Sequence, residues 1–426
     1  MTVAYLELGS TYKSMGRLPE AIEELKTALQ LEPDNPGILI IMAGCYEQAS
    51  QTDEAMKQYE KIITLDPEFA EAYCNRGVLY LNSGNYQQAI NDFDKAVEFD
   101  PEFAEAYSNR GSVYIDLGNY QQAINDFDKS IELDPQSAEA YSNRGIAYRE
   151  LGDQQRAIKE FDKAIELDPK YVQAYSNRGV AYALLRDYQN AIKEFDRAIE
   201  LDPKSADAYS NRGLAYGDLG KYEPAIKDIS KAIELKSRSA GAYFNRGLIY
   251  IGIGKFELAI KDFDKAVELD PSYVKAYLNR GRAHSAAGQY EEAVKDYKNA
   301  LKIQPDDVEV CNDLGYIYVD KEIDLDEGLR LIKKALSLAP QNLSIIDSLG
   351  WAYYKKGMYP EALEEFERAV KSGGEFAEIY AHLAKVYEKM GKNEDAVKTW
   401  NKVLKLDPRY PEAQKSIARL NTIIHK

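Results

Sequence analysis

Seven glycines, Gly77, Gly111, Gly145, Gly179, Gly213, Gly247 and Gly281, follow one another at an unvarying step of 34 residues. Each stands in a near-copy of one stretch, typified by "AYSNRGIAY" at 140–148, so that an asparagine, an arginine and a glycine recur beside tyrosines. A period this short means an array of one small unit, because such a unit cannot bury its apolar face alone and must stack on its neighbours. Continuing the phase gives units starting at 2, 36, 70, 104, 138, 172, 206, 240, 274, 308, 343 and 377. The unit from 308 to 342 is one residue longer, around "VDKEIDLDEG", and a partial unit, 411–426, closes the chain.

Each unit reads as two helices. In 138–171, Tyr141, Arg144, Gly145 and Tyr148 fall at i, i+3, i+4 and i+7, one helical face. Gly152 and Asp153 interrupt the pattern, since glycine commonly follows a helix end. A second stripe follows, with Ala157, Ile158, Phe161, Ala164, Ile165 and Leu167, and Asp168-Pro169 stops it. Pro19, Pro224 and Pro360 lie in the first turns of second helices, where no backbone donor is lost.

The unit resembles the tetratricopeptide repeat, a 34-residue helical hairpin with a large residue, glycine, tyrosine, two alanines, an aromatic and a proline at set offsets. In the unit at 70 these are Tyr73, Gly77, Tyr80, Ala89, Phe93, Ala96 and Pro101. Departures are local: Ile229 stands for the aromatic, Lys236 and Ser237 for Asp-Pro, and "SGGE" at 372–375 lacks the proline. The resemblance implies an all-α fold, an α-solenoid in which antiparallel helix pairs stack into a right-handed superhelix, and a non-enzymatic scaffold for protein–protein interaction. The array is expected to be continuous over 1–426: acidic repeats at 2–69, near-identical repeats at 70–307, divergent repeats at 308–410 and a capping helix at 411–426. In that last segment Ala413, Ile417, Leu420 and Ile424 make one stripe, with Lys415, Arg419 and Asn421 facing away.

The tyrosines and glycine of the repeated stretch read as core. Arg144 and its equivalents flank that face, and a lone buried guanidinium costs several kcal/mol, so each must pair or reach water. All seven units with this arginine carry an acid on the second helix: Asp92, Asp126, Glu160, Glu194, Asp228, Asp262 and Asp296.

Asn143 is different: at about 100° per residue it points nearly opposite the packing face, with Glu139 and Ser142. The seven asparagines Asn75, Asn109, Asn143, Asn177, Asn211, Asn245 and Asn279 would form a row inside one groove lined by first helices. A carboxamide both donates to and accepts from an extended peptide backbone, at roughly 0.5–1.5 kcal/mol net per bond. Two readings stay open: a peptide-binding row, or an asparagine inherited by repeat duplication. The repeat arm of O-linked N-acetylglucosamine transferases carries a similar row that holds peptide backbone, although no glycosyltransferase domain follows within these residues. Ser142 and Ser176 would make the groove polar, Glu139 acidic, while Phe244 and Trp351 are candidate anchors for a partner side chain, with packing between neighbours the competing reading. The lysine-rich clamp by which family members grip a terminal carboxylate is not reproduced.

Charge placement narrows the partner. The chain has a net charge of −16, and residues 1–137 hold 24 acidic against 9 basic side chains, whereas 377–426 hold 6 against 10. An acidic front end repels phosphates, so a protein or peptide of basic or polar character is expected and nucleic acid is not. The opposed ends also suggest a second function, head-to-tail stacking into a homo-oligomer; a third is the substrate-binding arm of a larger enzyme. His284, His382 and His425 are isolated and Cys45, Cys74 and Cys311 scattered, so no catalytic pair, metal site or cofactor is expected. "GIGK" at 252–255 lacks the rest of a phosphate-binding loop. No signal peptide or membrane-spanning run is visible and no membrane insertion is expected; a cytoplasmic location is anticipated, with a mature exported form left open.

Overall fold

The computed structural model describes residues 1–425, which form 25 α-helices and no strand. First helices begin at Thr2, Pro36, Ala70, Ala104, Ala138, Val172, Ala206, Ala240, Val274, Val308, Leu343 and Ala377, each followed in sequence by a second helix after a short turn, and Ala413–Ile424 comes last. Two compact units result, Met1–Leu219 and Gly220–Lys426. Each is an α-solenoid of antiparallel helix pairs.

The turns follow from local chemistry. Between Ala138–Glu150 and Gln154–Leu167, Gly152 adopts φ +84°, a left-handed conformation that a β-carbon disfavours. Asp153 then caps the second helix by accepting from the Arg156 amide. That helix ends at Asp168, whose extended backbone (φ −130°, ψ 95°) is what a following proline enforces. The extra residue of the tenth repeat is absorbed in the turn after Val308–Asp320, where Glu322 takes φ +53°.

In most pairs an aromatic ring of the second helix lies against a glycine of the first. A β-carbon added to Gly145 would sit 2.7 Å from Phe161 Cε1, and one on Gly179 2.7 Å from Phe195 Cε1. Alanine would gain about 1 kcal/mol of helix propensity but lose about 1–3 kcal/mol by overpacking, so glycine prevails. Phe93, Phe127, Phe161 and Phe195 are buried in the first unit, as are Phe263, Tyr297, Phe366 and Trp400 in the second. Each removes roughly 1.5–3 kcal/mol worth of apolar surface from water. Gly315 faces Ile332 instead, the second helix there carrying an aliphatic side chain.

The repeated arginine pairs as the sequence requires, and does more. Arg110 donates from Nε and Nη2 to Asp126 on its own second helix (2.8 and 2.6 Å) and from Nη1 to Asp94 of the preceding repeat (2.6 Å). Arg144 likewise joins Glu160 to Asp128, Arg178 joins Glu194 to Asp162, and Arg280 joins Asp296 to Asp264. In Arg246 the outer partner is Ser230 Oγ at 2.9 Å. The Asp126 hydrogen bonds raise the Arg110 pKa against the opposing effect of burial, so the guanidinium stays charged. Each of these five arginines therefore fixes the angle of a first helix against two second helices, whereas Arg76 pairs, among the described residues, only with Asp92 of its own hairpin. Asp126 is 7% exposed, whereas the Asp94 side chain is 54% exposed. Replacing Asp126 by alanine strands a largely buried charge and should cost about 3 kcal/mol in urea unfolding. Asp94→Ala should cost under about 1 kcal/mol in the same measurement.

Candidate functional site

The row of asparagines lies on first helices, and all seven side chains keep partial exposure. Their surroundings differ. Asn109 Nδ2 reaches Cys74 Sγ of the preceding repeat at 3.7 Å, Arg149 Nη1 donates to Asn177 Oδ1 at 3.1 Å, and Asn279 Nδ2 donates to the Lys275 carbonyl at 2.8 Å. Asn75 lies beside the Tyr59 hydroxyl, which burial, seconded by Glu47, pushes above its ordinary range. Asn143, Asn211 and Asn245 make no side-chain hydrogen bond among the described residues.

The residue before the asparagine is buried in four of the seven repeats, as Cys74, Ser142, Phe244 and Leu278, and partly exposed in the other three, as Ser108, Ser176 and Ser210. Ser142 is 1% exposed and Phe244 8%, both buried instead of lining an open groove. The cause is geometric: successive first helices pack on each other, so Ser142 and Phe244 are covered by the next repeat. The Asn109–Cys74 contact shows this, as does His382 Nδ1 against Asp347 of the preceding repeat, at 3.0 Å. Phe244 packs on Phe263 of its own pair and on Tyr273 before the next first helix, with ring centroids 5.7 and 5.0 Å apart. Ser176 keeps partial exposure and Glu139 is exposed. Trp351 is also buried, at 8% exposure: its Nε1 donates to Asp320 Oδ1 (3.2 Å), and its ring stacks on His382 at 4.5 Å. It is a packed wall residue, not a projecting anchor.

Within the second unit the same helix positions open into a recess of about 480 Å3. The positions equivalent to Asn143 are Asp313, Ser348 and His382 here, and all three line it, with Asn312 and Asp347 one residue earlier and Glu378 at the position of Glu139. Arg282 Nε donates to Asp313 Oδ2 at 2.7 Å and its Nη2 to Glu309 Oε2 at 2.8 Å. Burial raises the Asp313 pKa, with Arg282 and Asn312 acting against it. Sequence reasoning stopped where the asparagines stopped; carrying their register three repeats further would have found this cluster. A neighbouring recess of about 710 Å3 holds Trp351 with Lys355, Lys385 and Arg419, whose charges pair with Glu322, Glu412 and Glu388 respectively.

Tetratricopeptide repeat profiles match residues 13–75 and 353–420, 70–103, 206–239 and 240–273, 93–125 and 263–295, and 142–206, and a TPR repeat profile matches 111–152 and 281–321. The chain belongs to the tetratricopeptide repeat family. No curated protein matches it significantly. Among solved structures it is similar to the APC/C hetero-tetramer Cut9-Hcn1, at 16% identity over 98% of this chain and 96% of that one, with a TM-score of 0.54. The human IFIT1 dimer with m7Gppp-AAAA shares 18% identity over 87% and 90% of the two chains, with a TM-score of 0.51. MamA is 31% identical over 38% of this chain and 94% of its own, with a TM-score of 0.35. No described helix is long and apolar enough to cross a membrane.

The asparagines with and without partners should separate in unfolding experiments. Asn143→Ala should stabilise the protein by about 0.5 kcal/mol, because alanine is the better helix former and no bond is lost. Asn177→Ala, which gives up the Arg149 bond, should show no such gain by the same urea titration.

Proposed function

We propose that this protein is a non-enzymatic scaffold that binds an extended peptide segment of a partner along the face bearing the asparagine row. The carrying observation is that all seven carboxamides remain partly exposed at one register, three of them without internal hydrogen bonds. Glu139, Ser176 and the asparagines would touch the peptide; Ser142, Phe244 and Trp351 would stiffen the wall behind them. Glu71, Glu105, Glu139 and Asp207 are exposed in the first turns of these helices and favour a partner of basic or polar character. The same carboxylates disfavour a ligand such as the m7Gppp-AAAA named with IFIT1, whose phosphates they would repel. Affinity capture with the intact chain, followed by the triple variant Asn143→Ala, Asn177→Ala and Asn211→Ala, tests this: partner recovery should fall at least about tenfold with helicity unchanged. Unchanged recovery would remove the asparagines from the binding surface.

One observation favours a second reading, association of the first repeat with another copy. Leu8 is 39% exposed, whereas Leu314, Leu349 and Leu383 at the same repeat position are 2%, 3% and 6% exposed under a preceding repeat. Val3, on the same helix, is 64% exposed. Light scattering of the intact chain at low salt should then show species larger than a monomer, and Leu8→Glu should reduce them; a strictly monomeric profile excludes this reading.

A further inference from the structure

We infer that the recess walled by Asn312, Asp347 and Glu378 in the second unit receives a side-chain cation, the guanidinium or ammonium of an arginine or lysine, from an extended partner segment. The inference rests on the scaffold reading above and adds to it a position and a chemistry.

The donors and acceptors of the recess are unequally used. Arg282 is spent on Asp313 and Glu309, and the His382 Nδ1 faces both Asp347 oxygens, at 3.0 and 3.1 Å. The recess therefore has no guanidinium left over for an anion. Its acceptors are in surplus. Asn312 is 9% exposed and lies between this recess and an adjoining one of about 240 Å3, yet its Oδ1 has no donor. An unpaired buried carbonyl oxygen is destabilising, and a ligand N–H would satisfy it. Around it, the carboxylates of Asp313, Asp347 and Glu378 oppose the single charge of Arg282, an excess of two negative charges. A partly enclosed acidic recess focuses that field on an entering cation. Tyr316, partly exposed in the lining, supplies ring surface for the methylene stem that both basic side chains carry. The volume lies within the range of about 300–1,000 Å3 common for ligand sites.

The His382 ring, clamped between Asp347 and Trp351, gives a spectroscopic reporter inside the recess. The intact chain is titrated with a neutral glycine-serine peptide bearing one central arginine, with its lysine and citrulline counterparts, and with spermidine, while the ring signals of His382 and the carboxamide of Asn312 are followed by NMR. The arginine or lysine peptide should shift both signals, citrulline should not, and Glu378→Gln and Asp347→Asn should each weaken binding about tenfold. Equal binding of citrulline, or no response at His382 to either cationic peptide, overturns the inference, as does response to spermidine alone. Undiminished affinity in both variants overturns it too. The citrulline comparison uses the unaltered chain, so it decides the matter even where a variant folds poorly. Loss of the peptide response with capture by the asparagine row intact refutes the recess alone; the reverse outcome refutes the row alone.

Discussion

Where Gly77, Gly145, Gly179 or Gly350 lacks a β-carbon, the facing ring of Phe93, Phe161, Phe195 or Phe366 rests on helix backbone, and the spacing of the two helices is set by that contact. Rings and alanines then fill these hairpins to exclusion of water, with Ala157, Phe161 and Ala164 all at 0% exposure. A hairpin held at one separation presents the same two faces each time, which allows one repeat to sit on the next without adjustment. The arginine fork completes the arrangement where it occurs: Arg110, Arg144, Arg178 and Arg280 each tie their first helix to the second helix before it and the second helix after it, so the rotation of that first helix is no longer free. The register of the asparagines follows from these two contacts and from nothing in the asparagines themselves.

Much of the fold was legible because the signals are local and repeated. Gly152, Asp153 and the Asp168-Pro169 pair mark helix ends through backbone preferences that hold in any context, and the ring-to-glycine contact shows as a shared period. The arginine's partner on its own hairpin was legible for the same reason. Its second partner, Asp94 for Arg110 or Asp128 for Arg144, was not, because it depends on how one hairpin meets another. The same limit explains Ser142 and Phe244. A helical wheel divides a helix into a packed side and a wet side, but a first helix such as Ala138–Glu150 also packs on the first helices before and after it, so Ser142 is dry although it lies well away from its own partner.

The surface left over is therefore narrow. It consists of the asparagine position and the exposed acids of the first turn, backed by residues that look polar or aromatic in sequence and are packed in fact. Where the asparagines give way to Asp313, Ser348 and His382, the surface changes from a uniform row to a recess with its own charge pattern. The row keeps one residue type; the divergent repeats are where individual chemistry enters.

The exchange of arginine for leucine at one repeat position divides the junctions into two kinds. Arg110, Arg144 and Arg178 join the preceding repeat through Asp94, Asp128 and Asp162, whereas Leu314, Leu349 and Leu383 are buried as hydrocarbon at the same position. Dissolved ions screen the former. Strongly hydrated salts such as sulfate reinforce the latter by their exclusion from apolar surface. A single chain thus contains junctions that ionic strength loosens and junctions that the same solution tightens, and cohesion along each unit becomes a property of the medium as well as of the residues.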